Sequence, residues 1–307
     1  MKRFSKITTT QLARICGVSQ GTVDRALHDR GDINPQTKEK ILSIAREYDY
    51  TPSLKNQTDV NSMLIGVVLF DLYNEFFSTL AMNLVNIAKK SGYSILFQFS
   101  NKNIKDERNA LEYFDYIGVD GIILFSVGSD SEEYKNYLKS IKKPLVLIGN
   151  PMFDLPFIGI DNTKAMYDLT TILAQKINTD TILYYSPILN KKLNSTNAQN
   201  LRLQGFISAC TYHGKQYKII TDLNEIDSSF PIVCSTDYYA LQVLSYLNYP
   251  TNITIAGCDN TSLFKSLQTP IISIETNSPL VAQQCINYIL GKKYLSKIEY
   301  QIVDNSK

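Results

Sequence analysis

The order of apolar and polar positions divides the chain near residue 60 into two regimes. Up to Tyr48 the apolar residues recur at three- and four-residue spacing, the mark of amphipathic helices. Leu12, Ala13, Ile15 and Cys16 form one stripe, which Gly17 ends. Ser19 then stands as an N-cap, and Val23, Ala26 and Leu27 mark a second helix over Gln20 to His28. Asn34-Pro35 is a cap followed by proline at the first helical position, so a third helix is predicted through Ile41, Leu42, Ile44 and Ala45 toward Tyr48. The result is a small all-helical head, residues 1–52, followed by a polar stretch, 53–62, with no clear period, which predicts a linker or hinge.

From Met63 the pattern changes to apolar runs of strand length alternating with helical stretches. LIGVVLF, YSILFQF, GIILFS and PLVLIG are separated by helices near 76–91, 105–117 and 131–142. A second series follows: TILYYS, YKIIT, PIVCS, ITIAG and IISIE, with helices near 199–211, 237–248 and 277–291. Repeated βα units imply parallel sheets covered on both faces, and there is material for two of them. Residues 63–307 are therefore expected to form an α/β domain of two doubly wound, parallel-sheet lobes. Ligands of such sheets bind beyond the carboxyl ends of the strands.

Overall composition is ordinary for a folded globular chain, but the charge is uneven. Lys and Arg outnumber Asp and Glu 10 to 6 over residues 1–58 and are outnumbered 21 to 23 afterwards. A basic module on a near-neutral body fits contact with a polyanion at one end. The five cysteines lack CxxC spacing and the two histidines do not pair, so no metal, cofactor or disulfide framework is expected. No apolar run is long enough to span a membrane and no continuous apolar stretch follows the first basic residues, so a cytoplasmic location is expected. Gly-rich nucleotide loops, nucleophile elbows and zinc-protease motifs are missing, and Asp106, Glu107 and Glu112 read as the solvated face of a helix. No catalytic residue is assigned and an enzyme is not expected.

The stretch QLARICGVSQGTVDRAL, followed by DRGDINPQTKEKILSIAREYDYTP, resembles the helix-turn-helix head of the LacI/GalR family. A recognition helix entering the major groove end-on needs polar groups on its outer face, and Gln and Arg can pair with base edges. The resemblance implies that Gln20, Gly21 and Arg25 face bases, while Ser19, Thr22, Asn34, Thr37, Thr8 and Lys38 hold phosphates. Asp24 departs from the serine common at its position. The family's Ala-Arg-x-Leu hinge is replaced by Ser53-Leu54-Lys55-Asn56-Gln57, which leaves Leu54 either as a minor-groove wedge or as plain linker.

From Met63 to about Gln301 the chain resembles the same family's periplasmic-binding-protein-like sensor, with IGVVLFDLYNEFF, VDGIILFS, PLVLIGN, FIGIDN, LRLQGF, VCSTDYYAL, ITIAGCDN and TPIISI as landmarks in order. That fold sends the last helix back to the first lobe and holds a ligand between lobes. Strand ends then nominate Asp71, Asn74, Phe76, Ser126 and Asn150 from the first lobe and Arg202, Thr236, Asp237 and Asp259 from the second, with Asp237 equally suited to capping its helix. Glu75 stands where proline is usual and Thr236 where asparagine is frequent. The expected function is a DNA-binding transcription regulator, a repressor, controlled by a small effector of sugar type. Its expected partners are a double-stranded DNA operator, that effector and a second copy of the chain, with no membrane. Two other readings are a solute-binding protein of transport, sharing residues 63–301, and a DNA-binding dimer whose sensor fold takes no small ligand.

Overall fold

A computed structural model describes residues 7–27, 31, 33–48, 50, 62–128, 131–152, 154–190, 197–267, 269 and 271–305. Residues 53–61 of the predicted linker, with Leu54, and the predicted helix end at His28 lie outside the described residues. The chain separates into two compact units, a helical head and an α/β body.

The head consists of α1 (Thr9–Cys16), α2 (Gln20–Leu27) and α3 (Pro35–Glu47). Thr8 caps α1 in a capping box: its hydroxyl accepts from Gln11 N at 3.2 Å while the Gln11 side chain accepts from Thr8 N at 2.7 Å. Gly17, in the left-handed region at φ 71°, ends α1 and turns the chain into α2. Asn34 caps α3, with Pro35 behind it. Leu12, Ala13, Cys16, Val23, Ala26, Ile41 and Ala45 fill one core, so each helix contributes to it, but Ile15 of the predicted α1 stripe is exposed because it falls on the outer side of the helix.

In the body, the first lobe is built on β1 (Leu64–Leu69), β2 (Ser94–Phe99), β3 (Gly121–Leu124), β4 (Leu145–Ile148) and β5 (Phe157–Ile158). They form a parallel sheet in the order β2-β1-β3-β4-β5, linked by α4 (Glu75–Lys90), α5 (Ile104–Ile117) and α6 (Glu132–Ser140). The second lobe carries β6 (Thr181–Tyr185), β7 (Gln216–Ile220), β8 (Ile232–Cys234), β9 (Ile255–Cys258), β10 (Ile271–Glu275) and β11 (Gln301–Asp304), ordered β11-β10-β9-β8-β6-β7. Its helices are α7 (Asn162–Lys176), α8 (Ala198–Tyr212) and α9 (Asp237–Tyr246), while α10 (Ser278–Ile289) packs back on α4 and the first sheet. An Asn83 to Ser278 side-chain hydrogen bond of 3.0 Å fastens α10 to α4.

Three features depart from the pattern reading. Strand β11 runs antiparallel to β10, because the chain re-enters the second lobe from the first and meets the sheet from the opposite direction. Strand β5 is only two residues long, too short for a periodic signal. Helix α7 was not predicted, although Ala165, Met166, Leu169, Leu173 and Ala174 make a helical stripe; its first turn, Asn162 to Lys164, is polar and hides the start.

The lobes are joined by three crossings of the chain. Two of them pair with each other: Gly159 N donates to Ser296 O at 3.1 Å, and Ile298 N donates to Gly159 O at 2.9 Å. One continuous apolar core runs beneath both sheets, from Ile65 and Ile123 to Tyr184 and Ile274. All five cysteines are unpaired and buried. Among the described residues no helix is long and apolar enough to cross a membrane.

Candidate functional site

The head presents one polar face, and local capping explains it. Ser19 Oγ accepts from Thr22 N at 3.2 Å and meets Thr22 Oγ1 at 2.9 Å, which starts α2 abruptly after the Gly17 turn. With Val23 and Ala26 turned inward, Gln20, Gly21 and Arg25 stand exposed on the other side of that helix. A Cβ on Gly21 would meet nothing closer than 3.8 Å, so the surface is open there. The Gln20 amide donates to Thr10 Oγ1, which holds its side chain against the first turn of α1. Asn34 Oδ1 accepts from Gln36 N at 2.9 Å and Thr37 N at 3.4 Å, while Thr37 and Lys38 are half-buried in the first turn of α3. Thr8 and Asn34 thus have capping roles in the protein itself. Lys40 Nζ donates to Cys16 O at 3.4 Å, and the Thr9 and Tyr50 hydroxyls meet at 2.8 Å, tying the exit of the head to α1.

The body holds a cavity of about 510 Å³ between the carboxyl ends of its two sheets. Asp71, Asn74, Phe76 and Asn150 line it from the first lobe, and Arg202, Thr236 and Asp259 from the second. Seven of the nine nominated side chains therefore converge. Arg202 rises from α8 and is buried; its Nε donates to Asn162 Oδ1 at 2.9 Å and its NH1 donates to Ser235 O at 2.7 Å. Its NH2 lies 4.0 Å from Asp259 Oδ1. Asp259 follows β9 with φ 119°, a conformation costly for a non-glycine residue, and its N–H is held by Ile274 O at 2.8 Å. Burial outweighs the nearby guanidinium and pushes the Asp259 carboxyl up to about 6. Asn74 caps α4 by accepting from Phe76 N at 3.0 Å, and Thr236 caps α9 by accepting from Tyr239 N at 3.3 Å.

Asn150 joins the lobes. Its Oδ1 accepts from Ala198 N, the first amide of α8, at 2.8 Å, while its Nδ2 donates to Ser126 O at 2.9 Å. Glu75 makes a second bridge by accepting from Ser262 N at 2.8 Å.

Two nominated residues stay out of the cavity. Asp237 is fully buried behind the wall, accepting from Thr261 N at 2.9 Å and from Ser273 Oγ at 2.8 and 2.9 Å. Gly257 leaves it room, since a Cβ there would sit 2.3 Å from Asp237 Oδ1. Burial pushes the Asp237 carboxyl well above the usual range. It therefore pins the loop after β9 to strand β10, and the helix cap is Thr236. Ser126 is also fully buried, donating to Glu107 Oε1 at 2.6 Å.

That contact corrects the reading of Glu107 as a solvated carboxylate. Glu107 is 0 % exposed and accepts from Ser126 Oγ, from Val127 N at 2.5 Å and from the Tyr134 hydroxyl. It shares a helix face with Ala110, Leu111 and Phe114, and that i, i+3, i+4, i+7 spacing was the available signal. Burial raises its pKa. Sequence reading also missed Asn162, Lys102 and Tyr238, which line the cavity. Asn162 closes the FIGIDN landmark, whereas Lys102 follows β2 on left-handed backbone that no motif announces.

The two units match two models of one family. Residues 9–53 match the bacterial regulatory proteins of the lacI family. Residues 62–301 match the periplasmic binding proteins and sugar binding domain of the LacI family. The chain belongs to the LacI family. This LacI-family protein is a DNA-binding transcription regulator with the family's sugar-binding type of sensor domain. It is 26% identical to the catabolite control protein A of Priestia megaterium over 98% of this chain and 95% of the relative. It is also 26% identical to the sucrose operon repressor of Pediococcus pentosaceus over 94% and 91% of the respective chains. In fold, the LacI-family chain is similar to the crystal structure of the lac repressor dimer bound to operator, with a TM-score of 0.66 at 16% identity, covering 98% of this chain and 99% of that one.

Proposed function

We propose that this regulator is a repressor that binds a pseudo-palindromic operator as a homodimer in the cytoplasm, and that a small polyhydroxylated effector held between its lobes sets its affinity for DNA. It acts by binding, with no catalytic residue. Residues 1–52 serve as the head, 53–62 as the hinge and 63–307 as the effector and dimerisation domain. Gln20, Gly21 and Arg25 face base edges; Ser19, Thr22, Thr37 and Lys38, with Thr8 and Asn34 through the helix ends they cap, meet phosphates. Arg202 and Asp259 receive paired hydroxyls of the effector, Asp71 and Asn150 meet it from the first lobe, and Phe76 stacks on its apolar face.

The observation that carries this reading is the interlobe cavity, into which Arg202 and Asp259 converge opposite Asp71 and Phe76. An effector bound there contacts both lobes, so it favours one lobe arrangement over the other and couples its own binding to that of DNA. The names of the relatives point the same way: one is the repressor of a sucrose operon.

A fluorescence-anisotropy titration of labelled DNA from the gene's own upstream region, with salt varied and a panel of sugars and phosphosugars added, tests the whole reading. Tight, site-selective binding weakened by one compound is the expected result. Binding that is strengthened instead would make the protein a corepressor-dependent regulator. Weak binding, indifferent to sequence and to every compound, would remove the proposal.

A further inference from the structure

Ser62 and Met63 lead from the linker into β1, and one side chain holds both. Asp120 Oδ1 accepts from Ser62 N at 3.0 Å and from Ser62 Oγ at 3.2 Å, while its Oδ2 accepts from Met63 N at 2.9 Å. Ser62 Oγ in turn accepts from Leu64 N at 3.3 Å. Met63 sits at φ 54°, left-handed backbone that a residue with a Cβ keeps only where its surroundings impose it. The chain therefore changes direction as it enters β1, and a carboxylate with both oxygens engaged holds the bend.

Strand β1 does not depend on this clamp for its place in the sheet. It pairs with β2 along its whole length, Leu64 to Leu69, and with β3 from Ile65 to Val68. Ser62 lies outside both ladders, and Met63 meets β2 only through its carbonyl, which accepts from Ser94 N at 2.9 Å. What the carboxylate fixes is the last stretch of chain before the linker that carries the helical head.

Asp120 also stands at a particular place in the first lobe. It immediately precedes β3, the central strand of that sheet, which is buried throughout. Phe125, Val127 and Gly128, just beyond the other end of β3, line the interlobe cavity. At about 3.3 Å per residue, the linker's exit and the cavity wall are the two ends of one buried strand, about 16 Å apart.

We infer that Asp120 is the positioning residue that fixes where the linker of the DNA-binding head leaves the body, so that the spacing of two heads on DNA follows the first lobe rather than the slack of the chain. This rests on the reading of the protein as a dimer on a pseudo-palindromic operator. Each residue released adds up to about 3.5 Å of reach, so losing the clamp lengthens each tether by up to about 7 Å and the pair by up to about 14 Å. A base pair is about 3.4 Å long, so slack of that size lets two heads follow half-sites that have been moved apart.

The test is a competition titration of the full-length protein with three duplexes: the operator mapped in the gene's own upstream region, the same operator with two base pairs inserted between its half-sites, and a single half-site. The native protein is expected to lose about tenfold or more in affinity on the insertion, and Asp120→Ala about threefold or less, because only the longer tethers still reach both half-sites. Their affinities for the single half-site are expected to agree. Asp120→Asn keeps an acceptor for Ser62 but loses the one for Met63 N, and is expected to shift the same way by less. Ser62→Ala keeps both backbone bonds and is expected to behave as the native protein. If Asp120→Ala and Asp120→Asn retain the native penalty, the inference is overturned and the operator reading stands. Equal loss of affinity for all three duplexes would reduce Asp120 to a stabilising role in the body and overturn it as well. If the native protein itself does not distinguish the three duplexes, the operator reading falls and the inference with it.

Discussion

Glu75, at the start of α4 in the first lobe, accepts a 2.8 Å hydrogen bond from the backbone amide of Ser262 in the second lobe, 187 residues further along the chain. Together with the bond from Ala198 N to Asn150 Oδ1, it ties the lobes across the cavity. Proline, usual at this position in the resemblance drawn from sequence, has no side chain that could make this bond. Glu75→Ala removes a charge-assisted bond worth about 1 kcal/mol at a half-exposed site. Effector affinity is expected to fall about fivefold, with a larger radius of gyration in the ligand-free protein by small-angle scattering. Equal affinity and equal radius would show that the bond does not hold the lobes.

Asp259 gives effector binding a pH dependence. Its carboxyl titrates at about 6 in the folded protein, above the unfolded value of about 3.9. The folded state therefore holds the proton more tightly, and this group's contribution to stability is present in full below pH ~4 and lost as pH rises through about 6. Hydroxyl capture needs the ionised acceptor, so effector affinity is expected to weaken as pH falls from 7 to 5. Calorimetric titration at the two pH values measures it. Asp259→Asn should abolish the dependence and cost roughly ten- to a hundredfold in affinity, the scale of a lost charged hydrogen bond. The same substitution should raise the melting midpoint at pH 7, since it removes a buried charge. A variant that binds as tightly as the native protein would remove Asp259 from the site.

Glu107 braces the loop that brings Val127 and Gly128 to the cavity wall. Glu107→Ala would orphan the amide of Val127 and two hydroxyls in a buried space, which costs about 3 kcal/mol in all. Glu107→Gln preserves the shape without the charge. Because burial raises the Glu107 pKa, its neutral form is favoured in the folded state, and its contribution to stability declines as pH rises above the unfolded value. The native protein is therefore expected to lose more melting temperature than Glu107→Gln between pH 5 and pH 7. Parallel melting curves at both pH values would exclude titration of this residue.

Base-facing and phosphate-facing side chains of the head are separable by salt. Gln20→Ala and Arg25→Ala should each reduce discrimination between operator and altered sites by about 1–3 kcal/mol. Lys38→Ala should weaken binding to all sequences alike and lower the slope of log affinity against log salt by about 1. Competition titrations over a salt series distinguish the two classes. A Lys38→Ala variant with altered sequence preference, or an Arg25→Ala variant with none, would reverse the assignment.

Gly205 lies where α8 crosses α7, and a Cβ there would come 2.1 Å from Thr163 O and 3.0 Å from Tyr167 N. The obstacle is backbone, which cannot rotate away. Gly205→Ala is expected to lower the stability of the body by about 1–3 kcal/mol through overpacking. Denaturant unfolding with an unchanged midpoint would show that the helix pair can separate at no cost.

Much of this was fixed locally and so could be read from the chain. Helix stripes, the caps at Ser19 and Asn34, the Gly17 turn and the strand runs depend on spacings of a few residues, and the exposed set Gln20, Gly21 and Arg25 follows from one helix period. Strand ends predict polar groups at a cleft, and seven of the nine nominated sensor residues line it. Tertiary structure decided the rest. Asp237 and Asp259 are both acidic residues after β-strands, yet one is buried behind the wall by Thr261 and Ser273 and the other turned into the cavity by a φ of 119°. Glu107 is charged in sequence and sealed in space, because Ser126 and Tyr134, 19 and 27 residues away, come to it as donors. Strand β11 is antiparallel only because α10 has returned the chain to the first lobe. Sequence periodicity reports what a residue's neighbours along the chain require of it; which partner neutralises a buried charge, and which way a strand enters a sheet, depend on contacts made only when distant segments meet.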